Sequence, residues 1–184
     1  MRLVLVLVAG LLVTSCESLE RQREARQANP APCPNVFVLD DVAEFVHFEG
    51  DEKELESVTY SGEITDVATS CRYFSDRPIQ ASVDIAFAIG RGPAATQNAT
   101  SIDYFVAVTR TDRDVIAKET FTLPVTFRRG ESVAYVTRSI ESITIPRLDD
   151  NTSGVNFEIA VGFALERGDV LYNRSGKSLK FPDA

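Results

Sequence analysis

In the stretch ASVDIAFAIG, Val83, Ile85, Phe87 and Ile89 alternate with Asp84, Ala86 and Ala88. A period of two residues is that of a strand with one buried face. FTLPVTF repeats it with Phe121, Leu123, Val125 and Phe127. Pro124 falls on the outward side of that segment and has no N–H for a ladder, which predicts a strand at a sheet edge. The longest alternation is VNFEIAVGFAL, where Val155, Phe157, Ile159, Val161, Phe163 and Leu165 are expected to point one way. Between these runs lie SIDYFVAVTR, ESVAYVTRSIESITIP and LESVTYSGEITDVATSCRYF, all rich in β-branched and aromatic residues, and the separators GRGPAA, RTDRD, RRGE and LDDNTSG have turn chemistry. About eight short strands with no sustained helical period predict an all-β fold, an antiparallel β-sandwich of the immunoglobulin or fibronectin kind, with a closed barrel as the alternative. Tryptophan is absent and Cys33 precedes the first strand, so "Ig-like" describes an architecture only.

The domain opens with the strand candidate NVFVLDD and then DVAEFVHF. Asp41 followed by Glu44 resembles a capping box, and Val42, Phe45 and Val46 have helical spacing. One or two turns of a short N-terminal helical segment are expected there. Upstream, residues 17–34 read ESLERQREARQANPAPCP, charged and Gln-rich, then Pro-rich, with almost nothing to pack. That composition predicts a solvated tether, at most about 60 Å long when extended.

The apolar run from Leu3 to Val13 follows a basic Arg2 and has the form of a secretory signal. It is too short for a membrane span, which needs about 20 apolar residues. It ends in Val13-Thr14-Ser15-Cys16, which resembles the lipobox of bacterial lipoproteins. Val13 stands where that family usually has Leu, and Ser15 where it usually has Gly or Ala. The resemblance implies cleavage before Cys16 and a diacylglyceryl thioether on its sulfur, often with a further N-acyl chain. Two or three chains anchor stably where one would be marginal. The expected organisation is a signal over 1–15, an anchor and tether over 16–34 and a sandwich over 35–184. The residues after the anchor, Glu17 and Ser18, lack the Asp that often retains lipoproteins in the inner membrane, which favours the outer membrane. CPNVFVLDD, GEITDVATSCRY, YFVAVTRTDRDVIAKETFTLPVTF and VGFALERGDVLYNR together resemble a group of small uncharacterised lipoproteins of alphaproteobacteria, across residues 33–174. That resemblance implies an envelope address and carries no catalytic motif.

Charge and cysteine usage narrow the partners. The chain of 184 residues has net charge −8, one unit more negative without Arg2. So acidic a surface argues against nucleic acid and against docking on anionic headgroups through basic patches. With Cys16 lipidated, Cys33 and Cys71 remain in an oxidising compartment, and their even number predicts a disulfide. Two free thiols are the alternative; zinc is disfavoured because the chain has one histidine.

Chemistry finds little foothold. His47 is the only histidine, and no Gly-x-Ser-x-Gly, Ser-x-x-Lys or His-Glu-x-x-His pattern occurs. Asp40 with Asp41 is better suited to capping than to two-carboxylate catalysis. Asp149, Asp150 and Asn151 have the composition of a turn, with loop calcium binding as the alternative. GRGPAA lacks the Gly-Lys-Ser/Thr of a phosphate loop. Arg128, Arg129 and Gly130 read as a solvated hairpin end. Asn98, Asn151 and Asn173 begin Asn-x-Ser/Thr triplets that carry no meaning in a bacterial lipoprotein. No catalytic residue, metal or cofactor is therefore expected. The expectation is a non-enzymatic envelope lipoprotein that binds another envelope protein. A ligand- or lipid-carrying domain with an apolar cavity is the alternative, and an enzyme using carboxylates is a third possibility.

If Cys16 carries the anchor, Cys16→Ala moves the protein from the membrane pellet to the soluble fraction on cell fractionation; a variant that still sediments with membranes overturns the lipobox reading.

Overall fold

The alternating stretches pair into two open sheets. A computed structural model describes residues 32–73, 77–111, 114–147 and 152–176. Cys16, Asp149, Asp150 and Asn151 lie outside them, as do the expected signal and all but the end of the expected tether. The strands are β1 (Asn35–Val38), β2 (Glu44–Phe48), β3 (Val58–Arg72), β4 (Ile79–Arg91), β5 (Ala99–Arg110), β6 (Val115–Thr126), β7 (Val133–Ile145) and β8 (Phe157–Phe163). One sheet has the order β1-β8-β5-β6, the other β2-β3-β4-β7. All pairings are antiparallel except β1 with β8. The hairpin β5–β6 crosses to the opposite sheet, and β7 returns to pair with β4. The fold is thus the expected β-sandwich, with no closed barrel.

Three expectations change in detail. The N-terminal helical segment is a single 3-10 turn, Asp40–Val42, and Glu44–Phe48 is strand β2. Residue 39, not Asp41, occupies the N-cap, and no side chain caps the turn. Phe45 and Val46 are 1 % and 3 % exposed, so they are covered on both faces of β2, which a three-residue apolar cluster cannot distinguish from one face of a helix. Second, the alternation of the last strand starts at Phe157 and not before: Val155 lies in a 3-10 turn and is 57 % exposed, whereas Leu165, past the strand's end, packs against the core. The segment 128–130 joins β6 to β7, which belong to different sheets, and is therefore a sheet-to-sheet turn and not a hairpin end.

The core lies between the sheets. Val83, Ile85, Phe87 and Ile89 of β4 face Ile159, Val161 and Phe163 of β8, each 1 % exposed or less. Phe163 is the centre of an aromatic cluster, with Phe45 edge-on at 4.8 Å and Phe87 at 5.9 Å. Phe87 in turn meets Tyr104 at 5.0 Å, and Tyr104 stacks on Phe121 at 5.5 Å. Each such pair contributes about 0.5–1.5 kcal/mol beyond area burial. Gly62 makes room for this cluster: a Cβ there would lie 2.3 Å from the Phe45 ring and 2.8 Å from Ile89.

A covalent staple joins the sheets where the chain enters the domain. Cys33, just before β1, is bonded to Cys71 at the end of β3, with 5.6 Å between their Cα atoms. Beside it the Tyr73 hydroxyl donates to the Pro32 carbonyl and accepts from the Gly154 N–H, both at 2.6 Å. Arg147 covers the Tyr73 ring at 5.4 Å.

Closing a loop of this length restricts the unfolded chain by about 4 kcal/mol. The double variant Cys33→Ser, Cys71→Ser is expected to lose about that much unfolding free energy in urea titration, and the oxidised protein to expose neither thiol to alkylation until reduced. Alkylation of both without reductant overturns the pairing in solution.

Candidate functional site

Among the described residues singled out for chemistry, Asn173 meets Asp41 and the others do not gather at one place. His47 is on β2, its ring 4.7 Å from Phe45. Partial burial pushes its imidazole below the usual histidine range, and the Asp169 carboxylate opposes that shift. Asp41 accepts from the Arg174 guanidinium at 2.5 Å. That hydrogen bond holds its carboxyl below the usual range and raises the guanidinium in turn. Among the described residues no group of three or more His, Cys, Asp or Glu could hold a metal. In GRGPAA, the Gly92 N–H donates to Thr59 and the Ala94 N–H to Val58. A Cβ at Gly92 would lie 2.2 Å from the Val58 carbonyl oxygen, so this glycine serves close packing against β3. Arg128 pairs with Glu131 at 3.8 Å at the surface. Asn98 accepts from Arg91.

Asn173 has a structural use that its sequence triplet does not announce. It lies on a helix absent from the sequence expectations, α1 (Arg167–Arg174). Asp169 in its first turn and Arg174 in its last complement the helix dipole. Eight residues are nonetheless too few for a helix to persist alone, so docking must hold it. The Asn173 amide donates to the carbonyls of Asp41 (3.1 Å) and Glu44 (2.7 Å). Tyr172 packs edge-on against Phe48 at 5.6 Å, with the Lys53 ammonium 4.3 Å from the Tyr172 ring. Together these contacts lay α1 along β2, the edge of its sheet.

The other three edges differ in what shields them. β1 is four residues long and offers little backbone. β6 is long but interrupted by Pro124, opposite Ser101, as its sequence predicts. Lys118 on β6 lies over the Phe105 ring at 4.0 Å. β7 is 13 residues long, contains no proline and has no helix against it among the described residues. The Arg91 N–H donates to the Ser132 carbonyl at 2.7 Å, which sets the phase of the β4–β7 ladder. By antiparallel alternation, Ala134, Val136 and Arg138 turn their peptide groups to β4, while Val133, Tyr135, Thr137 and Ser139 turn theirs outward. The regular stretch ends at a bulge where Glu141 and Ser142 together oppose Ser82, with Ser142 at φ +64°. Tyr135 is 74 % exposed.

Where β6 and β7 face each other, the sandwich is open. A crevice of about 200 Å³ there has an apolar floor that includes Val106, Val108, Phe121 and Ile140. Arg138 shares the core-facing side of β7 with Val136 and Ile140 and forms no ion pair among the described residues. It is near enough to Tyr104 to oppose the upward shift that burial imposes on that phenol.

The fold and these edges define a two-sheet β-sandwich with one long edge that nothing among the described residues shields. No protein family, curated protein or solved structure matches the chain. Among the described residues no helix is long and apolar enough to cross a membrane.

Asn173→Ala removes one hydrogen bond to the turn before β2 and one to Glu44 at its start, and is expected to accelerate amide exchange in Glu44–Phe48 about tenfold, leaving β4 unchanged. Because the Asp41 carboxyl is held low in the folded protein, its pair with Arg174 contributes fully above the ordinary carboxylate range and is lost as pH falls through the lowered value. Protection of α1 should therefore be flat from pH 7 to about pH 5 and fall below about pH 4. Arg174→Gln should abolish that acid limb.

Proposed function

We propose that this protein is a non-enzymatic lipoprotein of the bacterial envelope, anchored through lipid on Cys16, whose β-sandwich binds another envelope protein. The observation that carries the reading is the state of the edges. Edge strands expose unpaired N–H and C=O groups, and folded proteins shield them. Here β2 is covered, β1 is short and β6 carries Pro124, whereas β7 presents a regular run of outward backbone beside an apolar crevice. An edge left open in this way suits strand addition by a partner.

A small-ligand or lipid carrier is the competing reading. It calls for an enclosed apolar chamber of about 300 Å³ or more. Two clefts of about 850 and 700 Å³ instead lie open at the surface. Between the sheets, Ile79, Leu123, Ile145 and Ile159 are wholly buried in one packed cluster. The acidic surface leaves membrane attachment to the lipid, and an outer-membrane, periplasm-facing position follows from the absence of Asp after Cys16.

Crosslinking in intact envelopes followed by mass spectrometry tests the reading. Wild type should recover one envelope protein reproducibly, and Cys16→Ala, released from the membrane, should recover much less of it. If wild type recovers no specific protein, the adaptor reading fails and extraction of bound lipid becomes the informative experiment.

A further inference from the structure

We propose that β7 is a strand-addition site for an extended peptide that places a carboxylate against Arg138 and, two residues along on the same face, an aliphatic side chain in the crevice between β6 and β7. This inference rests on the adaptor reading and specifies the chemistry of its partner.

The backbone supplies the frame. Val133, Tyr135, Thr137 and Ser139 direct their peptide groups outward at every second residue, about 6.8 Å apart. An added strand meets four pairs of donors and acceptors before the bulge at Glu141 and Ser142 ends the regular edge. The bulge also fixes where an added strand must stop, and so limits its register.

The side chains on the inner face supply the code. Val136, Arg138 and Ile140 succeed one another there with strand spacing. Val136 and Ile140 pack against the core, while Arg138 is exposed, pairs with no acid among the described residues and donates a long hydrogen bond, 3.4 Å, to the Thr137 carbonyl. A guanidinium beside an apolar wall favours a carboxylate, which it can bind in bidentate fashion. The crevice beyond it, about 200 Å³ with Val106, Val108, Phe121, Ile140 and Ile143 in its walls, has room for an aliphatic side chain. Lys118, Glu119 and Glu141 also line that crevice, two carboxylates against one ammonium, so its net charge is negative where that of Arg138 is positive and the carboxylate position of the ligand is set at Arg138.

Arg138 also decides against a second copy as the occupant. Pairing β7 with another β7 would bring a second guanidinium to the same inner face. An inward charge on an edge strand is a device that discourages such self-pairing. The same charge admits a partner of opposite sign.

The test uses the full-length lipidated chain in detergent and two fluorescein-labelled eight-residue peptides. Both alternate Thr with Val; one has Asp and the other Lys at a single inward position. By fluorescence anisotropy the Asp peptide is expected to bind at least tenfold more tightly than the Lys peptide, with Arg138→Glu reversing the order. Methylating the peptide's ladder nitrogens should abolish binding of either. Equal binding of the two peptides, or none of either, overturns the proposal. In crosslinked envelopes, a partner recovered undiminished by Arg138→Glu overturns this site while the adaptor reading stands. No partner recovered by wild type overturns the adaptor reading itself.

Discussion

A core closed between two open sheets leaves four edge strands, and the outward peptide groups on each must find a partner or water. That constraint organises this molecule more than any single contact. Helix α1 reaches the β2 edge through the Asn173 bond to Glu44, and the turn before it through Asn173 and Arg174 bonds to Asp41. Pro124 interrupts β6. β1 is kept to four residues and runs parallel to β8, with the Leu39 N–H continuing the ladder to the Val161 carbonyl. Against these three, the long outward run on β7 stands out as the edge that nothing among the described residues covers.

The interior explains why the edges can be left to such small devices. Burying Phe45, Phe87, Phe163 and the aliphatic rows of β4 and β8 is the main driving force for holding the sheets together, at about 25 cal/mol for each Å² of apolar surface removed from water. The disulfide adds its constraint at the opposite level, where β1 begins and β3 ends. A chain held at Cys16 would transmit any pull to Pro32 and Cys33, and those residues are fastened by the Tyr73 hydroxyl and by a covalent bond to the other sheet.

What was legible in the sequence depended on how many residues carried each signal. Four alternating hydrophobic positions in β4 gave the right face at every position, and Pro124 marked a true edge, because both follow from strand geometry. Val42, Phe45 and Val46 misled: three apolar residues fit a helical face as well as a 3-10 turn followed by a strand buried on both sides. Helix α1 left almost no trace, since ERGDVLYNR has only Val170, Leu171 and Tyr172 as apolar residues and its stability comes from docking. Val155 continued an alternation in sequence that the chain does not continue in space.

By itself the sequence determined the all-β class, the buried faces of the main strands and the edge position of β6, since period and proline chemistry are local properties, and it predicted the bond between Cys33 and Cys71 only on the reading that Cys16, the third cysteine, is lipidated. Only the tertiary structure decided which strands became the remaining edges, that Asn173 reaches the carbonyls of Asp41 and Glu44 across more than a hundred residues of sequence, and that Arg138 faces the core side of an open edge. Those are matters of which strand lies beside which, and strand order arises from long-range pairing that no local pattern encodes.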